Sequence, residues 1–301
     1  MKISACYIVR NEEKNLRHSL VSLGNNVDEL VVVDTGSEDT TKEIAQEFHA
    51  CVYDFPWQDD FSKARNFALD KAGGDWIIFL DADEYFVNSE GLSTYLRKAD
   101  TYPSCEGILL PLININIDTG KDNAEFIDRT RSLRIWRHEH NFRFVGSVHE
   151  MLYVHEKKGM RSLKMIEAHE KFTLHHTGYS TVGLRQKYER YLSMLQKEIR
   201  ENGEQLLSAR YLADCYFGLE DYERAAYYAS RAISREQEMG ITTVAGFYKL
   251  YRYWLEAGKK LGYPRDKMTS IGKQAILDTR KESNNLNMQQ FVETLLAKMG
   301  G

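Results

Sequence analysis

The sequence predicts an α/β fold, a mostly parallel sheet with helices on both faces, followed by an all-α region. Three observations carry this. Short apolar runs without polar alternation recur at Ile3 to Val9, Leu30 to Val33, Cys51 to Tyr53 and Trp76 to Leu80, and such runs read as strands buried on both faces. Segments with apolar residues at helical spacing separate them, so strand and helix alternate with the right-handed crossovers of a parallel sheet. From Gly183 onward the strand signals vanish.

At 301 residues the chain can bury a sizeable core, and its length favours two domains, expected at 1–180 and 181–301. Composition is that of a globular protein, with 43% hydrophobic and 28% charged residues, and a net charge of -4 gives no argument for nucleic acid. Cys6, Cys51, Cys105 and Cys215 are scattered without metal spacing. Cys6 and Cys51 read as buried thiols in strand-like surroundings, and the pattern suits a reducing compartment. The N-terminal apolar run is too short for a signal peptide, and no stretch approaches the length of a transmembrane helix. A cytoplasmic location is the expectation.

Each early strand ends in a polar signature. Ile3 to Val9 runs into Arg10-Asn11-Glu12-Glu13, where Asn11 is expected to cap a helix carrying Leu16, Leu20 and Leu23. Leu30 to Val33 ends in Asp34-Thr35-Gly36-Ser37, with Ser37 the expected cap of a helix carrying Ile44 and Ala45. A third helix is expected from Asp60 to Ala72, stopped by Gly73-Gly74. Trp76 to Leu80 then ends abruptly in Asp81-Ala82-Asp83-Glu84. Asp-x-Asp leaving a strand puts Asp81 and Asp83 on one side, close enough to share a divalent cation. Taken singly these signatures are caps and charged turns. Together they fall on one rim of one sheet, where α/β folds bind nucleotides.

ISACYIVRNEE, VVVDTGSEDTT and DADE resemble the family-2 glycosyltransferases with the GT-A fold, over most of residues 1–180. FPWQDDFSKARNFAL is more particular. It resembles a bacterial subgroup in which tetratricopeptide-like (TPR-like) helices follow the transferase domain, and which includes peptide S-glycosyltransferases of glycosylated bacteriocins. The resemblance implies an inverting, metal-dependent hexosyltransferase using a UDP-sugar. Its donor-side residues would be Val9, Asn11, Glu12, Asp34, Gly36, Lys63, Arg65, Asp81 and Ala82, with Asp34 on the uracil. Asp83 is then the better metal ligand, and Asp81 reaches the nucleotide. The chemistry agrees with the residues. A departing nucleoside diphosphate needs its charge neutralised, carboxylates and water favour Mg²⁺ or Mn²⁺, and Lys63 and Arg65 would add positive charge.

Beyond Tyr85 a helix is expected from Ser89 to Ala99, capped by Ser89, and strands at Gly107 to Ile117, Ser132 to Arg137 and Phe142 to Tyr153. The last would break near Gly146, and Asp118 to Asp128 reads as a loop. His149-Glu150 follows Gly146 closely, and either residue could take the acceptor proton. The plainer reading is a cross-strand ion pair. His175 and His176 point to opposite faces of a strand. His176 is favoured as a further metal ligand, as the resemblance implies, and Gly178 lies in the segment expected to close over the donor.

In the second half, Ala209 to Ala226 matches the helix–turn–helix unit of tetratricopeptide repeats, with Ala225, Ala229 and Ala232 for close packing and Gly218 for the turn. Val244 to Leu261 and Arg265 to Arg280 read as a second, degenerate pair, and Asn287 to Met299 as a final helix. So few repeats make a poor autonomous solenoid, so acceptor binding or homodimerisation is expected of this half. Its many tyrosines fit either core positions or a binding surface. The acceptor is expected to be a peptide side chain or a glycan. Two other readings remain. A sugar-phosphate nucleotidyltransferase would want a glycine-rich basic loop where Arg10 to Glu13 stands, and a degenerate transferase acting as an adaptor would not need Asp34, Asp81 and Asp83 intact.

Overall fold

The computed structural model describes residues 1–116, 125–178, 184–239, 246–280 and 285–299. The chain divides into two compact units, Met1–Val182 and Gly183–Gly301. The boundary expected at 180/181 lies outside the described residues.

The first unit is built on β1 (Ile3–Val9), β2 (Glu29–Asp34), β3 (Cys51–Asp54) and β4 (Trp76–Phe79), with helices α1 (Leu16–Leu23), α2 (Thr41–Glu47) and α3 (Phe61–Lys71) between them. These four strands pair in parallel in the order β3-β2-β1-β4. Their C-terminal ends therefore share one rim. The rest of the unit comprises β5 (Glu84–Phe86), α4 (Leu92–Asp100), β6 (Gly107–Asn116), β7 (Glu125–Arg137), β8 (Phe142–Val145), β9 (Met151–Glu156), β10 (Gly159–Arg161), β11 (Met165–Glu167) and β12 (Leu174–His176). The main sheet continues as β7-β6-β12-β5, with β7 antiparallel to β4 and to β6, and β12 parallel to β6. A separate antiparallel sheet has the order β10-β9-β8.

Alternation along β1 sorts the core into two layers. Ile3, Ala5, Tyr7 and Val9 pack with Leu16 and Leu20 of α1, Ile44 of α2 and Leu92 and Leu96 of α4. Cys6 faces the other way, with Ala68 and Leu69 of α3 and with Phe142, Leu152 and Val154 of the small sheet. Each such fully buried aliphatic stabilises the fold by roughly 1.5–3 kcal/mol.

Several local expectations are corrected. The helix after β1 starts at Leu16, and Asn11 is not its cap. Asn11 adopts φ 57° because its amide and side chain bind across the gap, its N–H donating to Ser37 Oγ (2.9 Å) and its Oδ1 accepting from Glu38 N (2.8 Å). Ser37 is thereby engaged with Asn11 instead of capping α2, which opens at Thr41. Helix α4 begins at Leu92 after a left-handed Gly91, with Ser89 contributing only its carbonyl. The break expected near Gly146 is present: β8 and β9 are parted there by a turn in which Gly146 and His149 take φ 107° and 55°. Of the segment read as a loop, 125–128 begin β7 and 118–124 lie outside the described residues. Cys51 is exposed, because β3 is an edge strand.

The second unit consists of α5 (Leu184–Asn202), α6 (Ser208–Gly218), α7 (Tyr222–Glu238), α8 (Tyr248–Lys260), α9 (Arg265–Asp278) and α10 (Asn285–Ala297). Its core joins Ala209 and Ala213 of α6 to Ala229 and Ala232 of α7, Tyr251 of α8, Met268 of α9 and Val292 of α10. Asp221 caps α7 by accepting from Arg224 N at 3.1 Å. The left-handed residue in the α6–α7 turn is Glu220 (φ 61°). Gly218 stays helical and serves packing instead, since a Cβ there would overlap the ring of Tyr188. Among the tyrosines, Tyr216 and Tyr251 are buried and Tyr227 is exposed.

Candidate active site

The parallel strands deliver their terminal side chains to one rim. At the end of β1, the Val9 carbonyl accepts from both the amide (2.9 Å) and the hydroxyl (3.1 Å) of Thr35, which ties the two strand exits together. Asp34 ends β2 and is buried. Its Oδ1 accepts from the backbone N–H groups of Gly36 (2.9 Å) and Ser37 (2.8 Å), with Lys42 Nζ 3.9 Å away. Its Oδ2 is buried and finds no hydrogen-bond partner among the described residues. Such an orphan costs about 1–3 kcal/mol unless something fills it. Gly36, at φ 115°, has open space where a side chain would stand. Glu12 is anchored through its N–H to Thr41 Oγ1 (2.7 Å), and its carboxylate accepts from Asn15 (2.9 Å). Burial lifts the Glu12 carboxyl to about 7, with Asp83, Asp81 and Asp39 adding to the rise against the Asn15 hydrogen bond.

The Asp81-Ala82-Asp83-Glu84 turn splits its carboxylates three ways around a buried Ala82. Asp81 Oδ1 accepts from Arg65 Nη2 at 2.8 Å, and Oδ2 lies 3.4 Å from Arg134 Nη2. Burial alone would raise the Asp81 carboxyl, but Arg65 and Arg134, with a smaller contribution from His176, bring it down to about 2. Glu84 is fully buried and accepts both Nε and Nη2 of Arg134, each at 2.7 Å. Asp83 turns the other way, its Oδ2 3.3 Å from His176 Nε2. Burial opposes a charge on His176, yet the Asp83 hydrogen bond and the nearby carboxylates hold its pKa above the usual imidazole range.

His176 and His175 divide as their alternation requires. His176 Nδ1 sits 2.8 Å from Asn114 Oδ1, whereas His175 Nδ1 sits 3.3 Å from Tyr85 Oη. The Asn114 acceptor keeps a proton on His176 Nδ1 and aims Nε2 at Asp83, as an oriented imidazole ligand requires. Thr177 closes this corner, its N–H (3.0 Å) and hydroxyl (3.1 Å) both donating to the Asp83 carbonyl. Among the described residues no group of three His, Cys, Asp or Glu side chains is placed to hold a metal. The pair Asp83–His176 nonetheless fits a Mg²⁺- or Mn²⁺-type ion, which takes few protein ligands and completes its shell with water and phosphate oxygens.

On the other flank, Arg65 Nε donates to Glu150 Oε1 at 2.5 Å, so one guanidinium joins Glu150 to Asp81. Arg65 is buried and stacks over Phe79 and Phe144, 4.7 and 5.5 Å from their ring centres. His149, beside Glu150, is exposed and left-handed at φ 55°. Lys63 stands in the first turn of α3, its ammonium 3.8 Å from Asp60 and largely in solvent.

The structure thus joins Asp81, Arg65 and Glu150 in one hydrogen-bonded chain and pairs Asp83 with His176, whereas Lys63 is paired with Asp60. Sequence reasoning missed three members, Arg134, Asn114 and Thr177. A signal existed for two of them: Arg134 interrupts Leu133, Ile135 and Trp136, and Asn114 interrupts an isoleucine-rich strand.

Among the described residues no helix is long and apolar enough to cross a membrane. Residues 4–150 match the model of Glycosyl transferase family 2. A TPR repeat-containing protein of Synechococcus elongatus is 29% identical over 87% of this chain and 58% of its own length. The SPbeta prophage-derived glycosyltransferase SunS of Bacillus subtilis is 30% identical over 49% of this chain and 34% of its own length. The chain therefore spans between about a third and three fifths of these curated relatives. The crystal structure of S. aureus TarS 1-349 aligns over 99% of this chain and 92% of that one, with TM-score 0.44 and 17% identity. Over residues 4–150, then, the chain is similar to glycosyl transferase family 2.

Proposed function

We propose that the protein is an inverting, metal-dependent glycosyltransferase that moves a sugar from a UDP-sugar to a peptide side chain or glycan. The observation that carries this reading is the orphaned Oδ2 of Asp34, buried on the same strand-end rim as Asp81 and Asp83. An acceptor oxygen held there without a partner suits the imide N–H of a uracil. Asp81, ionised and fixed by two arginines, suits the ribose hydroxyls. Asp83 and His176 would hold Mn²⁺ or Mg²⁺, which supplies neutralising charge to the diphosphate.

The remaining roles fall to the chain's own side chains. Glu150 or His149 takes the proton from the acceptor as its nucleophilic atom bonds to the anomeric carbon, and the bond from that carbon to the phosphate oxygen breaks with its electron pair leaving on UDP. The left-handed backbone at His149 is the kind of local strain that gathers at functional turns. Arg65, between Glu150 and Asp81, ties the acceptor side to the donor side. The helical unit is assigned to acceptor binding or dimerisation. Calorimetry of UDP with and without Mn²⁺ tests the donor reading. Wild-type protein should bind UDP more tightly with Mn²⁺, and Asp83→Ala should lose that gain; equal affinity in all four titrations overturns the reading.

A further inference from the structure

Arg134 enters the site from the C-terminal part of β7, and its guanidinium forks onto Glu84, a side chain with no exposed surface. That alone would be an internal ion pair. Two further contacts of the same pair end on Asp81. Arg134 Nη2 approaches Asp81 Oδ2 at 3.4 Å, and Glu84 Oε2 accepts the backbone N–H of Asp81 at 3.2 Å. With Arg65 on Oδ1, Asp81 is held at both oxygens and at its amide. About a third of the Asp81 side chain nevertheless stays open, at 34% exposure. A carboxylate fixed from three sides and still open is arranged to accept hydrogen bonds from a group outside the fold.

We propose that Arg134 is a positioning residue for the donor: through Glu84 and directly, it aims Asp81 at the hydroxyls of the nucleotide sugar. The proposal rests on the donor reading given above. A residue needed only to neutralise Glu84 would have no use for a fork that also reaches Asp81, and this difference is measurable.

The variant Arg134→Gln/Glu84→Gln removes both charges of the pair together and keeps polar side chains in their place, so neither charge is left without its partner. Its Tm should stay close to that of wild type, while its affinity for UDP in Mn²⁺, read by calorimetry, should fall about ten-fold or more, the usual scale for losing an orienting partner. Recovery of wild-type UDP affinity together with wild-type Tm would overturn the proposal and leave Arg134 as Glu84's counter-charge. If the double variant does not fold, Arg134→Lys decides. Lysine keeps a positive charge beside Glu84 but loses the planar guanidinium whose Nε and Nη2 grip Glu84 while Nη2 reaches Asp81, so a folded protein with weakened UDP binding supports the proposal and unchanged binding overturns it. Wild-type protein that binds no UDP at all would remove the donor reading itself, a result distinct from either variant's.

Discussion

Two buried arginine–glutamate forks, one in each unit, have the same local form and different surroundings. In the helical unit Arg210 of α6 grips Glu236 of α7 at 3.0 and 2.6 Å, and Glu236 is fully buried. In the first unit Arg134 of β7 grips the equally buried Glu84 of β5. A buried ion pair is by itself weak evidence of function, since its desolvation offsets most of its attraction. Among the described residues, what each arginine touches next separates the two. Arg210 reaches on to a backbone carbonyl, that of Gly246 at 3.0 Å, and so ties helices to a turn. Arg134 reaches on to Asp81, a carboxylate partly open to solvent. The first fork organises a fold, and the second organises a fold around a group that faces outward.

The largest expected effect would sharpen this contrast. Arg210→Ala leaves Glu236 charged and buried without its partner, which should cost about 3–5 kcal/mol in urea unfolding. UDP affinity in Mn²⁺ should be unchanged. A variant that loses donor affinity along with stability would break the comparison, because both forks would then act on the site. Gly178 offers a smaller effect on the other flank of the rim. A Cβ there would overlap Asp83 Oδ2 and lie 2.8 Å from His176 Nε2, so Gly178→Ala should force the pair apart at about 1–3 kcal/mol of stability. UDP titrations should then show a weakened Mn²⁺ dependence with metal-free UDP binding retained. An intact Mn²⁺ gain would mean that Gly178 has no part in holding that pair.

The same contrast explains what could be read before folding. Asp34, Asp81 and Asp83 were legible because each ends an apolar run, and in parallel strands run ends converge on one rim. Arg134 and Asn114 act from within strands, and their partners are set by register. His176 pairs with Asn114 on β6 and with Glu84 on β5, residues far apart in the chain that only sheet formation brings together. Nothing local marks such a meeting except a polar residue out of place in an apolar run. Asn11 failed as a cap for a related reason. Its conformation answers to Ser37 and Glu38 across the rim, so a local capping rule had no hold on it.

Glu12 shows a third way for the rim to settle a carboxylate, with a proton in place of an arginine. Burial, together with Asp83, Asp81 and Asp39, carries its pKa from 4.5 to about 7 in the folded protein. Below 4.5 both folded and unfolded chains hold the proton; between 4.5 and about 7 only the folded one does, so stability falls as pH rises through that window and levels off above it. Urea unfolding of wild type and Glu12→Gln across the window should therefore show a steeper decline in wild type. Asp83→Asn should shrink the decline as well, because removing that neighbouring charge lowers the Glu12 pKa. Equal slopes in all three proteins would mean that Glu12 titrates as it does in the unfolded chain, and that the rim tolerates its acids without a shared proton.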